Sequence, residues 1–354
     1  MKFERRKTRE VKVGNIIIGG NAPISVQTMT KTKTADIDAT VKQIERCKQA
    51  GADIVRVTIN DKQAATAISE IVKQCSFIPI VADIHFNHIF AIKSIESGVA
   101  KVRINPGNIG SEDRIRQVLD AAKEYSVPIR IGVNSGSLEK DILEKYGYPS
   151  AEALYESAIR HVDICNKYGF DDLIIAVKSS SVKLMIAAYR LLSEKVDYPL
   201  HLGVTEAGSY ESGTIKSTVG IGTLLAEGIG DTIRVSLTAE PEKEVEVGRQ
   251  ILRALELKQS GVEIISCPTC GRLEVDLFSI VKELETAVKD IQKNIKISVL
   301  GCAVNGPGEA RESDIGVAAG SSCALLYLKG EFLKKIDEKE IVNEVLNLIS
   351  KANN

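Results

Sequence analysis

No stretch of the 354-residue sequence is apolar for long enough to span a bilayer. The start, MKFERRKTREVKVGNIIIGG, is charged and lacks the apolar core of a signal peptide, so the chain reads as cytoplasmic. Charge excess is lacking too. The 46 Lys and Arg face 47 Asp and Glu, a net of -1, which gives a polyanion such as DNA no whole-chain reason to bind. Any positive field must be local. A disulfide framework is also missing, because the seven cysteines are irregularly spaced and the expected compartment is reducing. The last 90 or so residues contain no histidine, which removes a common metal ligand from them. What remains is an ordinary folded composition, 44% apolar and 26% charged, long enough for about two domains.

Short runs rich in Val and Ile alternate with segments of helical period. The strand candidates are ISVQTM from Ile24, IVRVTI from Ile54, IPIVADIHF from Ile78, KVRINPG from Lys101, PIRIGVN from Pro128, DLIIAVKSS from Asp172, PLHLGVTEAG from Pro199 and TIRVSLT from Thr232. Between them lie helix candidates such as DIDATVKQIERCKQAGA and AEALYESAIRHVDICNKYG, several ending in a Gly suited to a left-handed cap. About eight βα units over about 255 residues are what a TIM (β/α)8 barrel requires. A doubly wound open sheet is the competing reading.

The rhythm changes near Gly261, so the expected domains are a barrel over 1–258 and a smaller α/β domain over 259–354. The tail reads as strand VEIIS, a Cys pair, helix EVDLFSIVKELETAVKDIQ, strand IKISVLG, a Gly-Pro loop, strands DIGVAAG and ALLYLKG, and a last helix. So small a domain gains from a metal site that helps hold it together.

Arg56, Arg103, Arg130, Lys178 and Arg234 each interrupt a Val/Ile-rich run. Two residues on, on the same strand face, come Thr58, Asn105, Gly132 then Asn134, Ser180 and Ser236. In a barrel these strand ends meet at one mouth, where TIM-barrel active sites lie. The structural alternative is that Asp83, Glu206 and helix carboxylates pair the cations off, but two acids cannot neutralise five bases. The expected ligand is small and polyanionic, and a diphosphate matches the guanidinium fork. ADIHF places Asp83 and His85 on one face, and GVTEAG offers Thr205 and Glu206, the latter a proton donor or acceptor if burial raises its pKa. His201 and His161 are weaker candidates. INPGNIG from Ile104 has a glycine spacing that suits a phosphate at the next helix N-terminus, a weak signal.

Cys47, Cys75 and Cys165 fall in helical periods and read as small core hydrophobes. Cys267 and Cys270 of SCPTCGRLE and Cys302 of SVLGCAVNGPGEARES instead follow strands in turn-rich segments. Structural zinc wants four closed N or S ligands, and the only spare thiol is Cys323. Three thiolates with an oxygen ligand suit an iron-sulfur cluster better, and Glu309 in NGPGE is placed to turn back toward the thiols.

The barrel-mouth residues followed by SCPTCGR and GCAVNGPGEA closely resemble the bacterial 4-hydroxy-3-methylbut-2-enyl diphosphate synthases of the methylerythritol phosphate route to isoprenoids. The resemblance runs over nearly the whole chain. It implies a TIM barrel joined to a 4Fe-4S domain of the sulfite and nitrite reductase type, with one cluster per chain. By that match Cys267, Cys270 and Cys302 are cluster thiolates and Glu309 is the fourth ligand. Arg56, Arg103, Arg130 and Lys178 correspond to a diphosphate clamp, with Asp83, His85, Asn134, Thr205, Glu206, Arg234 and Ser236 around the rest of the substrate. Asn305 matches a position that touches substrate in a closed form. The implied reaction is reductive ring opening of 2-C-methyl-D-erythritol 2,4-cyclodiphosphate, with electrons from flavodoxin or ferredoxin, in a homodimer where one subunit's cluster caps the partner's barrel.

Two other readings use the same residues. One is a barrel transferase on a diphosphate ester with a structural zinc tail. The other is an iron-sulfur sensor, which would need no clamp and would want a basic nucleic-acid face that the charge balance does not provide.

Overall fold

The computed structural model describes residues 4–105, 109–258, 261–289, 291, 293–302, 304–320 and 323–351. The chain divides into two compact units, Met1–Lys258 and Gln259–Asn354.

The first unit opens with a hairpin, β1 (Glu10–Val13) and β2 (Ile16–Gly19). Eight further strands follow: β3 (Ser25–Met29), β4 (Ile54–Ile59), β5 (Ile80–Ile84), β6 (Lys101–Ile104), β7 (Ile129–Asn134), β8 (Leu173–Lys178), β9 (His201–Leu202) and β10 (Thr232–Ile233). They pair in parallel in the order β8-β7-β6-β5-β4-β3-β10-β9. A parallel bridge between Ile175 and Leu200 joins the two end strands, so the sheet closes on itself. Closure selects the TIM barrel over the open sheet. Helices alternate with the strands, and they start where a short polar side chain can accept from a free backbone N–H, as at Asp36, Asp61 and Ser181.

Strand alternation sends one set of side chains outward to the helices and the other into the barrel. The outward set, such as Val55, Val57, Ile129, Ile131 and Val177, is fully buried against helical residues such as Ile44, Ile68 and Leu192. At the strands' N-terminal ends part of the interior is apolar. Ile54, Val81 and Ile174 there pack on Val11, Val13 and Ile18, so the β1–β2 hairpin plugs that end. Ligands must therefore enter from the C-terminal end.

The second unit is a five-stranded sheet in sequence order: β11 (Val262–Ser266), β12 (Ile295–Leu300), β13 (Ile315–Ala319), β14 (Ala324–Leu328) and β15 (Glu331–Ile336). The first three run parallel and the last two antiparallel. Helices Leu277–Val288 and Ile341–Lys351 bury Leu277, Leu284, Ile341 and Val345 against Ile297, Val299 and Val317. On the opposite face, Ala310 meets Ala318 and Tyr327.

Two readings of this tail are corrected. β15 was not anticipated, because EFLKKI is exposed over most of its length and so carries no core-facing alternation. Lys329 and Gly330, both with positive φ, form the two-residue turn that joins it to β14. The Gly-Pro segment expected to be a loop folds as a short helix, Gly306–Arg311, with its proline in the first turn, where a missing N–H costs nothing. Gly316 permits that helix to lie close, since a Cβ there would sit 2.5 Å from Ala310.

Candidate active site

At the C-terminal end of the barrel strands is a polar cavity of about 240 Å³. Strand alternation accounts for its lining. Met29, Arg56, Asp83, Arg103, Arg130 and Lys178 project inward from β3 to β8. His85, Asn134, Thr205, Arg234 and Ser236 complete the wall from the strand ends and following loops. The structure thus gathers all five interrupting cations of the sequence in one cavity.

Their pairing is lopsided. Asp83, buried, lies 3.1 Å from Arg103 Nη1, 3.7 Å from Arg56 Nε and 3.6 Å from His85 Nε2. Burial alone would raise its pKa, but Arg56 and Arg103 together hold it well below the ordinary carboxylate range. Arg234 lies 3.6 Å from Glu244, a buried carboxylate that also accepts from Thr28 Oγ1 and the Leu237 N–H. Lys178 and Arg130 form no ion pair among the described residues. Burial, with Asp83 opposing and Arg234 and Arg103 adding, pushes Arg56 down to about 9, which leaves it protonated at neutral pH. Its Nη2 also lies 2.9 Å from Met29 Sδ.

Two glycines make room for these long side chains. A Cβ at Gly132 would be 2.6 Å from Arg103 Nε, and one at Gly203 would be 2.7 Å from Lys178 Nζ and 2.5 Å from Arg234 O. Any side chain at either position would displace a cation from the wall.

Some expected members stand elsewhere. Glu206 is exposed and is not part of the cavity wall, so the acid that balances the cations beside Asp83 is Glu244. Glu206 nevertheless has φ +51, a left-handed backbone rare outside glycine and asparagine. Its loop is pinned by Thr205 N–H to Ser179 O and Thr238 N–H to Gly208 O. Ser180 is exposed, and its neighbour Ser179 is the buried hydroxyl. Asn105 is buried and donates to Ser137 rather than lining the cavity. His161 is core, 2.6 Å from Glu139. Of the glycine-spaced phosphate motif, Pro106, Gly107 and Asn108 lie outside the described residues.

Sequence reasoning passed over Glu244, although PEKEVEV places it on the buried stripe with Pro241, Val245 and Gly248. It also passed over Lys101, whose alternation with Arg103 and Asn105 was readable. Lys101 and His201 are fully buried inside the barrel, and Lys101 Nζ and both His201 ring nitrogens have no hydrogen-bond partner among the described residues.

In the second unit, Cys267 and Cys302 are half-buried and Cys270 is exposed. Their loops are neighbours. Gly301 N–H donates to Cys267 Sγ at 3.4 Å, and Glu274 N–H donates to Gly301 O. Cys302 has its pKa lowered first by the backbone N–H of Val304 and also by those of Asn305 and the Arg272 side chain. Thr269, between the paired cysteines, has φ +62. Glu309 is exposed on the short helix, and Asn305 directly precedes that helix without a capping side-chain hydrogen bond. Among the described residues no three His, Cys, Asp or Glu side chains stand close enough to hold a metal ion. Cys47, Cys75 and Cys165 are buried, and burial pushes their thiols up to about 12, 11 and 12. They are inert packing.

Among solved structures, dihydropteroate synthase from Xanthomonas albilineans in complex with 7,8-dihydropteroate aligns at TM-score 0.52 and 14% identity, over 70% of this chain and 97% of that one. The Stenotrophomonas maltophilia enzyme gives 0.52 and 13% over the same shares. At that identity the likeness shows the barrel fold alone. The sequence relatives are much nearer. The chain is 56% identical to a protein of Caldanaerobacter subterraneus subsp. tengcongensis over 98% of each, and 55% identical to one of Clostridium perfringens over 98% of this chain and 99% of that one. Both are named 4-hydroxy-3-methylbut-2-en-1-yl diphosphate synthase (flavodoxin). The GcpE TIM-barrel domain matches residues 8–249 and the GcpE protein C-terminal domain matches 263–351. The chain belongs to the GcpE family.

Proposed function

We propose that this chain opens the ring of 2-C-methyl-D-erythritol 2,4-cyclodiphosphate reductively, giving 4-hydroxy-3-methylbut-2-enyl diphosphate and water, with flavodoxin as electron donor. The observation that carries the reading is the cation-rich cavity at the barrel's C-terminal end, with Asp83 and Glu244 already engaged and Lys178 and Arg130 free to meet an anion. The names of the relatives support the same activity and donor.

The fit of an iron-sulfur cluster rests on its donors. Three free thiols sit on neighbouring loops, and backbone N–H groups already point at Cys267 and Cys302, the environment that stabilises cluster thiolates. Cys267, Cys270, Cys302 and Glu309 would hold a 4Fe-4S cluster, which when bound supplies single electrons and a Lewis-acidic iron. A helix-borne carboxylate is the exchangeable member of that set, being the hard ligand among soft ones.

The barrel residues do the rest. Arg56, Arg103, Arg130 and Lys178 fix the diphosphate by charge-assisted hydrogen bonds, so the carbon skeleton is held in one orientation. Asp83 holds Arg56 and Arg103 in place and, with His85, Asn134, Thr205, Arg234 and Ser236, lines the remainder of the cavity. The overall reaction consumes two electrons and one proton and releases one water, and Glu206 on its strained loop is the residue that handles the proton. Asn305 contacts substrate from the cluster domain. Residues 1–258 are the substrate domain and 259–354 the cluster domain of a cytoplasmic homodimer in which each cluster domain serves the partner's barrel.

Anaerobic purification with iron and sulfide analysis, followed by turnover of the cyclodiphosphate with reduced flavodoxin, tests this. The expected result is about four irons and four sulfides per chain with steady turnover. One zinc, no visible absorption and no turnover would leave only a diphosphate-binding barrel.

A further inference from the structure

Lys178 is nearly sealed in the barrel wall, its Nζ lodged where Gly203 lacks a side chain. Other cations share the cavity with it. Arg56 reaches in from β4, Arg103 from β6, Arg130 from β7 and Arg234 from the end of β10, while His201 on β9 and Lys101 on β6 lie in the same barrel interior. The two carboxylates of the region are spoken for, Asp83 by Arg56, Arg103 and His85, and Glu244 by Arg234 and Lys31. A buried ammonium with like-charged neighbours and no counter-ion is unfavourable, and an amine escapes by losing its proton, whereas the arginines cannot.

We infer that Lys178 is an uncharged amine in the empty barrel and takes up one proton from solvent when a dianionic substrate enters, so that substrate binding and protonation are one event. This inference rests on the diphosphate reading of the cavity. Burial, followed by Arg130, Arg234, Arg56 and Arg103, lowers the Lys178 pKa well below the usual lysine value, in keeping with that state. The ligand brings the missing negative charge and raises it again. Each phosphorus of a cyclodiphosphate carries one strongly acidic oxygen, so the ligand stays a dianion across the neutral range and any proton taken up belongs to the protein. The arrangement gives selectivity as well. An uncharged amine does not add to the repulsion in the empty cavity, and it becomes a full cation only for a ligand that supplies charge beside it.

The test is calorimetric titration of the full chain with 2-C-methyl-D-erythritol 2,4-cyclodiphosphate near pH 8, in buffers of low and high ionisation enthalpy. No turnover is involved. The wild type is expected to take up about one proton per ligand, with Kd rising about tenfold per pH unit between the free and bound pKa values of the amine. Lys178→Arg, which keeps its charge, should bind without uptake. Lys178→Gln, the control against poor fit of the larger guanidinium beside Gly203, should bind more weakly and also without uptake. Lys101→Met should retain the uptake. Binding by the wild type without uptake, uptake persisting in both Lys178 variants, or its loss in Lys101→Met would overturn the assignment. Absence of any binding would instead overturn the diphosphate reading itself.

Discussion

The two units hold their candidate functional groups in opposite ways. In the barrel, Arg56, Asp83, Arg103, Arg130 and Lys178 project from strands that are hydrogen-bonded on both sides, and each is buried, at most 7% exposed. In the smaller unit, Cys267, Cys270, Cys302 and Glu309 stand on loops and a six-residue helix, half-buried or exposed, without a formed coordination sphere among the described residues. The difference teaches that the charged lining of the cavity is set by the strands, whereas the thiols are carried by loops and are less buried. A strand-borne cation costs stability when nothing neutralises it; a loop-borne thiol costs almost nothing until metal arrives.

The largest way to break this contrast is Cys302→Ala. It is expected to abolish cluster retention and turnover, with activity down by about a thousandfold or more, while affinity for the cyclodiphosphate stays within about twofold. Iron analysis and calorimetry on the same preparation check both halves. A large fall in affinity would show that the barrel site is not complete by itself.

Next comes Glu206→Gln. If this residue handles the proton, kcat should fall by about a hundredfold to ten-thousandfold with KM little changed. A normal kcat would return the left-handed backbone at Glu206 to a merely structural role.

Asp83→Ala should act on stability. Removing it leaves Arg56 and Arg103 buried without their acid and costs about 3–5 kcal/mol in denaturant unfolding, partly recovered by saturating cyclodiphosphate. The pH dependence has a definite sign. Because the folded-state pKa is depressed, Asp83's contribution is present above its unfolded value near 4 and is lost as pH falls further. The wild type should therefore lose stability more steeply than Asp83→Ala below about pH 4.

The same contrast explains what was legible in the sequence. A cation inside a Val/Ile run announces both its strand and its inward face, so the mouth was readable residue by residue from Arg56 to Arg234. Lys101 obeyed the same alternation but opened its strand and was passed over. Glu244 was harder, because a carboxylate on an amphipathic helix looks solvated until its position on the buried stripe is counted. Glu206 shows the limit: alternation past the end of a two-residue strand, His201–Leu202, no longer fixes which way a side chain points. In the smaller unit, residue type and spacing singled out the thiols. Periodicity could not place them; the NGPGE helix was lost because six residues with only Gly306 and Ala310 buried show too little period to read, and β15 because it is exposed over most of its length.

The smallest expected effect sharpens the thiol side of the comparison. Cys323 is the one remaining half-buried cysteine, on the segment leading into β14, and its carbonyl accepts from Gly320 N–H, a contact that any residue would supply. Among the described residues no backbone donor is seen at its sulfur, unlike those of Cys267 and Cys302. Cys323→Ala should therefore leave iron content and turnover unchanged and shift stability by no more than about 0.5 kcal/mol. Loss of iron in this variant would mean that four thiols, not three and a carboxylate, complete the set. The proposed role of Glu309 as the oxygen ligand would then fall.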